Sequence, residues 1–265
     1  MIDFSLENKK ALVGGSTQGI GLAIAKTLAE MGASVTLIAR NEQKLQETIK
    51  NLPSLHQQKH YYIVANYQSP QEVSTQVKKF LEKYQFDTWE ILVNNTGGPN
   101  AGNILTTDVQ NFYDAYAQHL ICNQILAQIF IPLMQKANFG RIINIISTSV
   151  KEPLENLGVS NTTRWAVAAW AKTLATEIAH TGITVNNVLP GATQTSRIEA
   201  ILENKAKKMN ISLEEAQREM LKTIPMQRFA QPQEIANGVA FLASSLASYI
   251  TGTNLVIDGG RMKSL

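Results

Sequence analysis

The sequence predicts an α/β fold, a doubly wound parallel sheet of about seven strands flanked by helices. Three observations carry this. Short aliphatic runs alternate with longer helical patterns along the chain, the runs are almost continuously apolar, and a glycine-rich turn follows the first of them. Strands are read at residues 11–13, 35–38, 61–64, 91–93, 142–146, 184–188 and 254–257. A strand covered on both faces has no reason to alternate apolar with polar residues, so parallel pairing is expected. Helical patterns occupy residues 20–31, 71–84, 165–180 and 232–244. Residues 196–225 insert amphipathic helix where the rhythm calls for a strand, and so form a candidate lid over a substrate cleft. Its apolar positions are Ile201, Leu202, Met209, Ile211, Leu213, Met220 and Leu221, most of them for helix packing.

No repeat, linker or low-complexity run divides the 265 residues, so a single domain over 1–265 is expected. The chain is 44% apolar, enough for a buried core, and 17% charged, too little for disorder or coiled coil. A net charge of +3 comes without a dense basic stripe, and Lys205-Ala206-Lys207-Lys208 reads as a solvated helix face. No nucleic acid is therefore expected as a partner. The lone Cys122 excludes an internal disulfide, suits a reducing compartment and reads as inert core. The first ten residues carry no apolar signal segment, and no run is long enough to span a bilayer. A cytoplasmic protein without a membrane partner is expected, and no metal is among its cofactors.

The first strand leads into Gly14-Gly15-Ser16-Thr17-Gln18-Gly19-Ile20-Gly21 and then a helix. Glycines let the backbone turn tightly and approach a pyrophosphate, which the free N–H groups of the helix start attract. Gly15, Ser16, Gln18, Gly19, Ile20 and Gly21 are the phosphate-binding candidates in this Rossmann-type setting.

The spacing Gly15-x3-Gly19-x-Gly21 resembles the glycine motif of the short-chain dehydrogenase/reductase family, and the resemblance runs nearly the whole length. Asn94-Asn95-Thr96-Gly97 is similar to that family's Asn-Asn-Ala-Gly, and Pro190-Gly191-Ala192-Thr193-Gln194-Thr195 to its Pro-Gly-x3-Thr. Residues 228–236 and 249–260 resemble its C-terminal signatures. The resemblance implies that Gly15, Gly19, Ile20 and Gly21 hold a pyrophosphate, with Asn94 and Gly97 along the adenosine ribose. Thr195 would bond the nicotinamide carboxamide, and Pro190 and Gly191 would wall the ring. Two positions depart from the pattern. Gly14 replaces the usual Thr and loses a structural hydroxyl, and Asn66 replaces the usual acid near the adenine.

Cofactor choice rests on the end of the second strand. An Asp there would bond the ribose hydroxyls of NAD and repel a 2′-phosphate. The chain has Arg40, whose guanidinium matches a phosphate in charge and geometry, so NADP(H) is expected over NAD(H).

The family's chemistry, as the resemblance implies it, uses four residues. A Tyr gives the proton, a Lys four residues on lowers its pKa and holds the ribose, a Ser bonds the carbonyl oxygen, and an Asn fixes a water. Ser147 falls at the Ser position. Ser160 stands for the Tyr, Arg164 for the Lys and His119 for the Asn. A Ser hydroxyl is far less acidic than a phenol of pKa about 10; Arg164 keeps a positive charge and can hold the ribose hydroxyls of the cofactor, but Arg does not release its proton in practice. The ordinary relay cannot operate as written.

Three readings follow. The chain is an NADP(H)-dependent oxidoreductase of a small carbonyl or alcohol, with another proton source. His119, because imidazole titrates near neutrality, is the first replacement and Lys151 the second. Without such a role, His119 is a hydrogen-bonded helix residue at a subunit contact, and Lys151 with Glu152 a solvated loop pair. The second reading is a redox-inactive nucleotide-binding sensor or partner subunit with a degenerate site. The third is hydration or elimination with Ser147 and Arg164 as polar anchors. Residues 147–153 with Ser160 and Arg164 resemble a divergent subgroup similar to 3-oxoacyl-acyl-carrier-protein reductases, so an acyl-carrier-linked substrate is also implied. The resemblance further implies a homotetramer paired through helices near residues 109–136 and 165–180 and the strand at 254–257. Trp165, Trp170 and Phe130 would otherwise risk an exposed apolar patch.

Overall fold

A computed structural model describes residues 3–264. Its seven strands are β1 (Lys10–Gly14), β2 (Ser34–Ala39), β3 (Tyr61–Val64), β4 (Ile91–Asn94), β5 (Gly140–Ile145), β6 (Ile183–Pro190) and β7 (Asn254–Ile257). They form one sheet in the order β3-β2-β1-β4-β5-β6-β7, with every neighbouring pair parallel. The chain walks outward from β1 to β3, returns past β1 to β4, and then walks the other way. A crevice opens beyond the carboxyl ends of the strands where the order reverses, here between β1 and β4.

The helices are α1 (Gly19–Glu30), α2 (Glu42–Lys50), α3 (Pro70–Tyr84), α4 (Val109–Tyr116), α5 (Cys122–Lys136), α6 (Gly158–Ile178), α7 (Ser196–Met209), α8 (Leu213–Leu221) and α9 (Pro232–Ala243). Successive side chains of a strand point to opposite faces. Val13, Val93 and Ile143 enter one core with Ile24 and Leu28 of α1 and Val239 of α9. Their neighbours Leu12, Leu92 and Ile142 enter the other core with Val77 of α3, Phe130 of α5 and Ala171 of α6. Each strand serves two cores, which is why its sequence is continuously apolar.

Several expectations need correction. β5 ends at Ile145, and Ile146 lies just beyond it with its N–H on the Val188 carbonyl at 3.0 Å. α6 begins at Gly158, well before residue 165, so Ser160 and Arg164 ride on its first turns. Residues 160–163 are weak helix formers, but Thr162 and Thr163 return their hydroxyls to the carbonyls of Gly158 and Val159, and Thr163 is fully buried. Phe130 is core against Trp89, not part of an exposed patch. The helical pattern at 109–136 is broken by a π-turn over Ala117–Ile121, which turns His119 inward.

Residues 196–225 fold as α7 and α8 with a small core of their own, in which Ile198 and Leu202 meet Ile224 and Phe229. Met209 and Leu213 are exposed. Among the described residues no helix is long and apolar enough to cross a membrane.

Candidate active site

The glycine turn after β1 is shaped by positions that reject a side chain. Gly15 and Gly19 both have φ of +54°, a left-handed conformation that glycine alone adopts without cost. A β-carbon on Gly21 would lie 2.2 Å from the Gly15 carbonyl oxygen, so α1 passes directly over the turn. Asn95 pins the turn from β4, its Nδ2 donating to the Gly14 carbonyl at 3.0 Å. Gln18 caps α1 without a side-chain hydrogen bond, which leaves the first N–H groups of the helix for an anion. Ser16 is fully buried with its hydroxyl unpartnered among the described residues. This cradle fits a dinucleotide pyrophosphate.

The cleft continues along the strand ends. A β-carbon on Gly97 would meet nothing within 4 Å, so this edge is open, and Gln118 holds the Gly97 carbonyl at 2.7 Å. Thr195 precedes α7 with its methyl 3.2 Å from the β-carbon position of Gly19. Pro190 closes β6, and Gly191 donates its N–H to the Ile257 carbonyl at 2.9 Å. Arg40 is exposed at the end of β2 and makes no hydrogen bond or ion pair among the described residues. Asn66 spends its carbonyl on the N–H of Gln68 at 3.1 Å.

Asn94 spends its amide N–H inside the sheet, while its Oδ1 is buried without a partner among the described residues. It is 3% exposed and donates to Asn144 at 2.8 Å; Asn144 donates to Asn187 at 2.9 Å, and Asn187 to Asn254 at 2.8 Å. The four residues are register partners on β4, β5, β6 and β7, so one polar ladder crosses half the sheet. It is the neighbouring Asn95 that reaches the cofactor turn.

Ser147 and Arg164 meet at the carboxyl end of β5, and His119 stands beside Thr96, just beyond β4. Ser147 caps a 3-10 turn over Thr148–Val150, and its Oγ accepts the Ser149 N–H at 3.1 Å, leaving its own proton free. Arg164 reaches in from α6 and donates Nη1 to the Ile145 carbonyl at 2.9 Å. It is buried, and its Nε has no partner among the described residues. Burial, and then the nearby Arg197, lower its pKa to about 10. Ser160 lies on the same helix and is buried at its first turn.

His119 is 2% exposed within the chain itself. Its Nδ1 shares a hydrogen bond of 2.5 Å with Thr96 Oγ1, and its Nε2 is buried and unpartnered among the described residues. Burial holds its pKa well below the ordinary histidine value, and the charges of Arg164 and Arg197 push it further down. The expectation that this ring titrates near neutrality is therefore corrected: in this state it is neutral at pH 7. Lys151 ends the 3-10 turn, its N–H on the Thr148 carbonyl at 2.9 Å. Glu152 accepts from the N–H groups of Lys263 and Ser264 at 2.9 and 3.0 Å, so the C-terminal tail docks on it.

Sequence reasoning missed Arg197, the second residue of α7, which donates to the carbonyls of Gly98 and Pro99 at 3.0 and 2.7 Å. It sits in no motif, and only the folding of α7 over the strand ends brings it to the site. It also missed Thr96, which reads as a variant of a family Ala until His119 is found beside it. A cavity of about 390 Å³ opens alongside, lined by Asn103, Ile104, Leu154, Glu155, Asn156, Gly158 and Asn161. None of Ser147, Ser160, Arg164 and His119 lines it.

Comparison with known proteins agrees with this geometry. The family model described as enoyl-(acyl carrier protein) reductase matches residues 15–261. The NADPH-dependent reductase BacG of Bacillus subtilis is 31% identical over 260 residues, covering 98% of this chain and 100% of the relative. The 3-oxoacyl-[acyl-carrier-protein] reductase FabG of Aquifex aeolicus is 32% identical over 262 residues, covering 98% and 99%. The structure of L-sorbose reductase from Gluconobacter frateurii, complexed with NADPH and L-sorbose, superposes with a TM-score of 0.92 at 29% identity, covering 100% of both chains. With the strand order, the glycine cradle and the motifs in register, the chain belongs to the short-chain dehydrogenase/reductase family, in the group whose model is described as enoyl-(acyl carrier protein) reductase.

Proposed function

We propose that the chain is an NADP(H)-dependent oxidoreductase that reduces a carbonyl group of a small molecule. The observation that carries this is the intact cradle of Gly15, Gly19 and Gly21, with Arg40 exposed and unpartnered at the end of β2. A relative named for NADPH-dependent reduction and a neighbour solved with NADPH support it. The likeness to FabG makes an acyl-carrier-linked substrate a narrower version of the same reading. The apolar residues exposed on the dimer-forming elements of the resemblance, Val109 and Tyr113 on α4 and Trp165 on α6, support a homotetramer. A cytoplasmic location goes with a lone buried cysteine.

In this reading the glycine cradle holds the pyrophosphate, Arg40 the 2′-phosphate and Thr195 the carboxamide, with α7 and α8 as the lid. The nicotinamide supplies a hydride. Ser147 can donate a hydrogen bond to the carbonyl oxygen, and Arg164 faces the same region with fixed positive charge, which stabilises an oxyanion without needing to release a proton. Neutral His119 is no imidazolium donor at pH 7, and Ser160 is too weak an acid, so the proton is taken from water.

Titration of NADPH and NADH against wild type and Arg40→Ala tests the cofactor, and NADPH oxidation with a panel of carbonyls tests the reaction. Loss of a charge-assisted contact worth about 1.5–3 kcal/mol weakens NADPH by roughly tenfold to a hundredfold and leaves NADH unchanged. Equal wild-type affinities, or no oxidation with any carbonyl, count against the proposal.

A further inference from the structure

Arg164 and Arg197 bring two guanidinium groups to one point of the cleft. A β-carbon placed on Gly98 would stand 3.2 Å from Arg197 Nη2 and 3.7 Å from Arg164 Nη2. The residues come from different elements, Arg164 from α6 and Arg197 from the start of α7. Arg164 is 7% exposed, its Nε is unpartnered, and its hydrogen bond goes to a neutral carbonyl. Arg197 likewise holds only neutral carbonyls, those of Gly98 and Pro99.

Among the described residues no carboxylate is paired with either arginine. The pairs Lys10–Glu90, His56–Glu7, Lys222–Glu219 and Arg228–Glu234 all lie elsewhere. Glu152 accepts from the tail backbone, and Asp258 from the N–H groups of Gly260 and Met262. A buried cation without a counter-charge costs several kcal/mol, and a second one beside it adds repulsion. Such a pair, kept beside the open edge at Gly97, suits an anion. The phosphates of the dinucleotide belong to the glycine turn and Arg40, which leaves this pair for the other ligand.

We propose that the cleft binds a carboxylate-bearing carbonyl compound, an oxo acid, with its carboxylate between Arg164 and Arg197 and its carbonyl at Ser147. This rests on the reading of the chain as a carbonyl reductase. Reduction adds a hydride to the carbonyl carbon and a proton from water to its oxygen; NADPH becomes NADP+ and the carboxylate is unchanged. Planar forked donors suit a carboxylate in particular, since each guanidinium can take one of its oxygens or share both. The anion also ties α7 to α6, so the substrate itself draws the lid onto the body. It cancels the two positive charges that depress His119, so the ring becomes easier to protonate when substrate is present.

The test is calorimetric titration of 2-oxobutanoate, 4-oxopentanoate and their methyl esters into the protein saturated with NADP+, in wild type and Arg197→Gln. At least one acid is expected to bind about tenfold or more tighter than its ester, and to lose that margin in the variant. The comparison of acid with ester in wild type needs no variant, so a failure of Arg197→Gln to fold does not remove the test. Esters that bind as well as the acids overturn the proposal. So does a variant whose NADP+ affinity falls as far as its acid affinity, because the arginines then read the cofactor. NADPH oxidation separates the two readings. Acid-selective binding with no oxidation by acid, ester or 2,3-butanedione removes the reductase reading and retains the anion site. Equal kcat/KM for acid, ester and 2,3-butanedione removes the anion site and retains the reductase.

Discussion

The hydroxyl of Tyr67 stands beside Gly14 where a larger residue would need room: a β-carbon there would lie 2.9 Å from the phenolic oxygen and 2.5 Å from the Asn95 carbonyl. Tyr67 is buried, and burial pushes its phenol above the ordinary tyrosine range. The hydroxyl that the family pattern places at position 14 is thus replaced by bulk from the end of β3. Position 14 is closed first by the Asn95 backbone and then by Tyr67.

Gly14→Thr alone should therefore cost about 1–3 kcal/mol through overpacking, and Tyr67→Val alone about 2–4 kcal/mol through the cavity left behind. The double variant should be more stable than the sum predicts by roughly 1 kcal/mol or more, read from denaturant midpoints in a double-mutant cycle. Strictly additive losses would show that the two do not share the space.

Ser147 and Ser160 separate cleanly in kinetics. Ser147→Ala removes a donor from the developing oxyanion and should lower kcat about a hundredfold or more with NADPH affinity retained. Ser160→Ala should keep most of the turnover, since this hydroxyl is too weak an acid to have supplied the proton. Installing Ser160→Tyr with Arg164→Lys supplies the missing acid, and a gain in reduction of neutral ketones is expected. A collapse of turnover in Ser160→Ala would place the proton path through it and refute the water source.

The asparagine ladder makes a stability prediction. Asn144→Leu leaves Asn94 Nδ2 without its acceptor and Asn187 Oδ1 without its donor, both buried. Two such groups together should cost about 3 kcal/mol or more in chemical denaturation. A loss below about 1 kcal/mol, within the range of an ordinary substitution, would show that the ladder carries little of the sheet's stability.

His119 couples stability to pH. Its folded pKa is lowered, so below the unfolded value of 6.5 the unfolded chain binds a proton that the folded chain refuses. Stability from this group is full above pH 6.5 and falls as the pH drops below it, until the folded ring itself protonates. His60 is also lowered by burial and acts with the same sign, so the informative quantity is the difference between variants. His119→Asn should lose less stability between pH 7 and pH 5 than wild type does, measured by denaturant titration at each pH. Parallel curves for the two proteins would mean that His119 is solvated and ordinary.

The sequence by itself determined the architecture and the cofactor end of the site. Continuous aliphatic runs demand a sheet covered twice, and Gly15, Gly19 and Gly21 meet a left-handed turn and a close helix approach that glycine satisfies without cost, so both are written locally. It also placed Ser160 and Arg164 in register where the resemblance implies a Tyr and a Lys. The start of α6 was hidden, since Thr162 and Thr163 are weak helix formers, and the buried face of the helix, Thr163 included, fixes it there. Only the tertiary structure decided what surrounds the gap. His119 looks like an acid of ordinary pKa in the sequence, and burial with two cations makes it neutral. Arg164 looks like a substituted lysine, and Arg197 like one more charge on an amphipathic helix. Their meeting above Gly98 depends on residues 98, 164 and 197 coming from three separate elements, and electrostatic energy depends on distances that spacing along a chain does not record.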